Sequence, residues 1–155
     1  MEIHQKQSGL AILELLIAMA LLAIAGSFCA FMDNGAGRGF YFNADCQAVL
    51  AALRRARAMS LANVGAGNAA PHGVRFDPAR NDFIFFSGAI FDNDDPANEK
   101  IDFEGAATRI AGANSVDVIF SPITGGASST EIVIQDDFGR SVKISVNELG
   151  RVDRE

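Results

Sequence analysis

The stretch from residue 10 to residue 32 limits this chain more than any other. It reads LAILELLIAMALLAIAGSFCAFM, with a single charge at Glu14 and none from Leu15 to Met32. Apart from its aromatic and β-branched members, it is built from strong helix formers. At about 1.5 Å per residue it spans roughly 34 Å as a helix, and a bilayer core is about 30 Å thick. A helix apolar on every side has no easy burial in a soluble domain of this size. A membrane-spanning helix is therefore expected.

A cleaved secretory signal is the structural rival. It needs a short apolar core and a small-residue cleavage site, and Ala23-Ile24-Ala25 resembles one. The apolar run continues past it through Phe28 and Phe31. An ionisable side chain at membrane depth costs a few kcal/mol and by default marks a function with a partner. Glu14 is such a side chain.

Ser8-Gly9-Leu10-Ala11-Ile12-Leu13-Glu14-Leu15-Leu16 resembles the processing signal of type IV pilins and type II secretion pseudopilins. The resemblance implies a leader, residues 1–9, removed by a prepilin peptidase between Gly9 and Leu10. Leu10 is then the N-methylated first residue, and Glu14 the fifth. The family most often has Phe where this chain has Leu10. The resemblance also supplies a partner for Glu14, the N-terminal ammonium of a neighbouring subunit in a filament of packed apolar helices. Pairing offsets much of the cost of burying either charge, so the pair sets register. Snorkelling to the headgroup level is the alternative for an unassembled subunit.

A chain of 155 residues leaves room for one domain beyond this helix. Its net charge is −6, and the leader, holding Glu2 and Lys6, removes none of it. Such a balance argues against broad nucleic-acid binding. Lys6 and the free amino terminus fit a cytoplasmic N-terminus. Cys29 and Cys46 would lie about 25 Å apart on a continuous helix, too far to bridge, and read as small apolar fillers.

Residues 33–39 carry Gly35, Gly37 and Gly39, a composition that favours a hinge. A second helix is expected over residues 40–64, ended by Gly65 and Gly67. Phe42, Cys46, Val49, Leu50, Leu53, Ala56 and Ser60 recur every three or four residues and form one face for a sheet. Arg54, Arg55 and Arg57 fall mostly off that face. After residue 72 the period is two. Residues 72–77 and 82–87 form a hairpin around Pro78-Ala79-Arg80-Asn81. Val116, Val118 and Phe120 alternate, and so do Ile132 and Ile134, then Val142, Ile144 and Val146. The last two runs flank a second turn, Asp136-Asp137-Phe138-Gly139. Residues 50–60, LAALRRARAMS, with Val74-Arg75-Phe76-Asp77-Pro78 and the ending Gly150-Arg151-Val152, resemble the GspH/FimT-like minor pseudopilins.

Asp92-Asn93-Asp94-Asp95-Pro96-Ala97-Asn98-Glu99 is the densest acidic run. Calcium takes six to eight oxygens from such loops, so Asp92, Asp94, Asp95 and Glu99 are its candidate ligands. The run lacks the turn glycine of an EF-hand and has a proline at a ligand position; a solvated acidic turn is the simpler expectation. Two other matches are coincidental. Asp137-Phe138-Gly139 copies a kinase triplet in a hairpin turn. Gly65-Ala66-Gly67-Asn68-Ala69-Ala70 copies a dinucleotide-binding spacing after a helix instead of a strand. His72 is the only histidine after the leader, and no nucleophile motif or metal-spaced His/Cys set is present. No enzymatic activity and no resident cofactor are expected.

Together these features imply an α+β chain. Its expected parts are the leader 1–9, the membrane and assembly helix 10–32, the hinge 33–39 and a pilin-like head 40–155 of antiparallel strands packed on the second helix. The expected role is a non-catalytic minor pseudopilin or pilin. Its partners are a prepilin peptidase, other pilin subunits and the bacterial inner membrane, with the head outside the cytoplasm. The alternative is a DNA- or ligand-binding adhesin on the same anchor, using Arg54, Arg55, Arg57, Arg140, Lys143, Arg151 and Arg154 as a basic patch.

Overall fold

The computed structural model describes residues 5–31, 37–62, 70–105 and 107–155. They form two compact units, Met1–Phe40 and Tyr41–Glu155. The layout is the expected α+β one: a long apolar helix, a second helix and antiparallel sheets.

The first unit contains α1 (Gln5–Phe31). Within it, Ala11–Cys29 is long and apolar enough to cross a membrane, and none of it is buried. By length and position it suits a single membrane span or a signal sequence. Within Ala11–Cys29 the Ser27 hydroxyl is satisfied by the helix itself, donating to the Ala23 carbonyl at 2.6 Å. The chain forms no helix break at the expected cut, since Gln5–Phe31 runs through Gly9 and Leu10.

The second helix, α2 (Gly37–Leu61), starts and stops earlier than its apolar pattern predicts. Gly37 and Gly39 of the expected hinge are already helical; residues 33–36 lie outside the described residues, as do Gly65 and Gly67. Glycine is tolerated in a first turn because the leading N–H groups there have no helical partners in any case. In the second unit Phe42, Cys46, Val49, Leu50, Leu53, Ala56 and Ser60 are all buried, as their spacing predicts. Burial pushes the Cys46 thiol pKa up, which fits an inert filler. Both cysteines are free.

Among the described residues, eight strands make two four-stranded antiparallel sheets. One has the order β3 (Glu99–Asp102), β2 (Asp82–Ser87), β1 (His72–Asp77), β5 (Val116–Phe120). The other runs β4 (Thr108–Ala111), β6 (Thr130–Asp136), β7 (Ser141–Val146), β8 (Val152–Arg154). The chain therefore leaves the first sheet for β4 and returns to it for β5. One core joins the α2 face to both sheets, with Val74, Phe76, Phe83, Val118 and Phe120 from the first and Ile132, Ile134, Ile144 and Val146 from the second.

Polar side chains fix the joints. Asn81, in the β1–β2 turn at φ 56°, donates to Thr108 O at 2.7 Å and accepts from Ile110 N at 3.1 Å. It thereby ties the first sheet's hairpin to β4 of the second. Asp45, buried on α2, accepts from Glu104 N at 2.8 Å and Gly105 N at 3.1 Å. Lys100 holds edge strand β3 between buried Asp82 at 3.1 Å and Asp102 at 2.9 Å. These two carboxylates, Asp102 first, raise its pKa.

His72 is buried at the start of β1 beside Phe85, ring centroids 5.9 Å apart, and its backbone N–H donates to Ser60 Oγ at 2.9 Å. Desolvation lowers its pKa below 6.5. The unfolded chain therefore binds the extra proton first as pH falls. The stability from burying a neutral imidazole is complete above the unfolded pKa and declines on acidification towards the folded one. The melting temperature is expected to fall between about pH 7 and pH 5, in the range where histidine titrates. His72→Gln should flatten that profile; an equal slope in the variant would exclude His72 as its source.

Candidate functional site

On α1, Glu14 is exposed and shares a face with Ile17, Ala18 and Leu21, one and two turns along. Among the described residues it has no ion-pair partner. Gly9 and Leu10 are helical, five and four residues before it. The candidate processing bond and the candidate assembly charge thus lie just over one helical turn apart on one continuous helix.

The acidic loop 92–99 joins β2 to β3 over the outer face of the first sheet. Phe91 anchors it, edge-on to Phe86 at 5.4 Å and under the Arg75 guanidinium at 4.5 Å. Gly73 makes room beneath, because a Cβ there would meet the Phe86 ring at 2.6 Å. The loop uses its own carboxylates. Asp92 accepts from Asp94 N at 3.0 Å and Asp95 from Ala97 N at 2.8 Å. Asn98 donates to Asp92 O at 2.6 Å. Glu99 pairs with Arg55 on α2 at 2.6 Å. The four candidate calcium ligands do not converge, and among the described residues no three His, Cys, Asp or Glu side chains are grouped to hold a metal ion.

The kinase-like triplet Asp137-Phe138-Gly139 sits in the β6–β7 turn, where Asp136 organises the backbone. Its carboxylate accepts from Phe138 N at 3.0 Å and Arg140 N at 2.8 Å, and pairs with Arg140 Nε at 2.6 Å. Burial opposes that charge, but these donors outweigh it and hold the pKa below the ordinary carboxylate value. Of the dinucleotide-like spacing, 65–69 lies outside the described residues.

The seven cations of the candidate basic patch are spread over the head. Arg55 serves Glu99, Arg140 serves Asp136, and Lys143 sits between Glu131 at 2.9 Å and Glu155 at 3.4 Å. The Lys143 pKa is raised by those two carboxylates, Glu131 first. Arg154 donates to Asn43 at 3.0 Å. Arg54, Arg57 and Arg151 come together, with Ala58, Leu61 and Val152, around a groove of about 330 Å³. Within it Arg151 pairs with Asp153 at 2.9 Å, and Arg57 donates to Leu149 O at 3.1 Å.

Asp45 and Asn81 escaped the sequence reading as organising residues. Asp45 had a visible signal, a carboxylate directly beside the apolar stripe of α2, one position before Cys46.

Compared with known protein families, curated proteins and solved structures, the chain matches none.

Proposed function

We propose that the chain is a non-catalytic, membrane-anchored subunit of a type II secretion or type IV pilus-like filament. A prepilin peptidase cuts it between Gly9 and Leu10 and methylates Leu10. It then waits in the bacterial inner membrane, with its head outside the cytoplasm, until assembly. One observation carries the reading. Glu14 is the single charge from Gly9 to Met32, five residues after Gly9, on a helix that is exposed along Ala11–Cys29. An apolar helix of this length needs only lipid; a carboxylate within it needs a partner as well.

Cutting within a helix requires its first two turns to open, and helix ends open most readily. Co-expression with a prepilin peptidase, followed by mass spectrometry of the N-terminus, is expected to find a chain beginning at methylated Leu10. An intact leader, or cleavage after Ala25, refutes the reading.

A further inference from the structure

At the C-terminal end of α2 the head exposes three large apolar side chains, Leu61, Ile123 (69% exposed) and Leu149 (77%). They are neighbours. Ile123 N donates to Ser60 O at 3.0 Å, Leu149 O receives Arg57, and a Cβ on Gly125 would lie 2.9 Å from the Leu61 side chain. Ile123 has φ 67°, a backbone region that β-branched residues rarely enter. An isoleucine there serves neither the core nor its own backbone, so its side chain points to use outside the head. Arg54 and Arg57, lining the adjoining groove, have no carboxylate partner among the described residues.

The complement is on the same head. Ile90 is 83% exposed, on a loop that the Phe91 anchor and the Asp92 and Asp95 turns hold in shape. Asp92, Asp94 and Asp95 have no cationic partner among the described residues. The two surfaces lie on different parts of the head: Phe91 seats loop 90–95 on Phe86 and Arg75 over the outer face of the first sheet, while Arg54 and Arg57 line a groove with Arg151 and Val152 at the β8 edge. A patch and its complement on different sides of one subunit make a heterologous contact, which propagates from copy to copy.

We propose that loop 90–95 of one copy seats on the α2 end of the next. Ile90 packs against Ile123 and Leu61, and Asp92, Asp94 and Asp95 face Arg54 and Arg57. Opposite charges around an apolar anchor fix orientation and reject like-charged surfaces. The contact is independent of cleavage at Gly9.

Two differently tagged full-length copies, each with Cys29→Ala, are co-expressed in membranes, one carrying Ile90→Cys and the other Ile123→Cys. Oxidation with copper phenanthroline is expected to yield the mixed disulfide dimer at about ten times the level of either like pair. Arg54→Glu in the Ile123→Cys copy should cut the mixed product about tenfold, and Asp94→Lys in its partner should restore it. Equal yields in mixed and like pairs, or a yield indifferent to Arg54→Glu, overturns the contact. A chain that is cut after Gly9 yet gives no mixed product overturns this contact and leaves the proposed function standing.

Discussion

Gly150→Ala is expected to destabilise the head by about 4 kcal/mol, whereas Gly139→Ala should cost only about 1 kcal/mol. Both glycines have positive φ, 70° and 83°. Their surroundings differ. A Cβ on Gly139 meets nothing within 4 Å, while one on Gly150 would run into the carbonyl oxygen of Gly125 and lie 3.2 Å from Arg57 Nε. The obstacle is backbone, so no rotamer change relieves it. Gly150 sits in a turn that Asn147 organises, accepting from Leu149 N at 3.0 Å and Arg151 N at 2.9 Å. Gly125 is pinned by its own bond to Ser121 O at 2.9 Å, and neighbouring Ala127 N donates to Glu148 O at 3.3 Å. Neither segment can retreat without breaking its own bonds. Domains are stable by roughly 5–15 kcal/mol in total, so the variant's melting temperature should drop by about 15 °C. Similar melting of the two variants would mean that the turn and the 121–126 loop move apart freely.

What could be read from the sequence follows how local the cause is. Both hairpins are visible because period-two alternation and turn residues act over a few positions, so β1, β2, β6 and β7 fall where the pattern puts them. The buried face of α2 is visible for the same reason, at the helical period. Strands β3, β4 and β8 are not. Glu99-Lys100-Ile101-Asp102 is a mostly exposed, charged edge strand that exists because β2 offers it a ladder, and charged edges discourage pairing with other chains. The division into two sheets is hidden too, because β4 sits between β3 and β5 in sequence but pairs with β6. The contacts that enforce it join residues far apart in sequence, such as Asn81 with Thr108 and Asp45 with Gly105. At the candidate sites the same limit applies. The Glu14 pattern is contained in one short stretch. The grouping of Arg54, Arg57 and Arg151, and the diversion of Glu99 to Arg55, depend on the tertiary fold.

On the proposed function, Glu14→Ala should leave membrane insertion intact and reduce filament incorporation at least about a hundredfold. The two effects separate because they draw on different environments. Insertion weighs α1 against lipid, where removing a carboxylate lowers the cost by up to about 3 kcal/mol. Assembly, on that proposal, weighs α1 against neighbouring helices, where the carboxylate would meet the amino terminus freed after Gly9. Removing one member of a buried ion pair leaves the other charge stranded, at a cost of about 3–5 kcal/mol, which is a factor of roughly a hundred or more. The structure adds a geometric condition. Glu14 shares its face with Ile17, Ala18 and Leu21, so the neighbour that supplies the ammonium must pack along that side, and Ala18 one turn away leaves space for it. Enlarging that position, Ala18→Phe, should therefore impair incorporation while keeping the charge, and Ala20→Phe, two residues round the helix, should be milder. Incorporation measured against a membrane-fraction control separates these outcomes from failure to insert. Normal incorporation of Glu14→Ala would assign the carboxylate to the headgroup region, with no part in setting register.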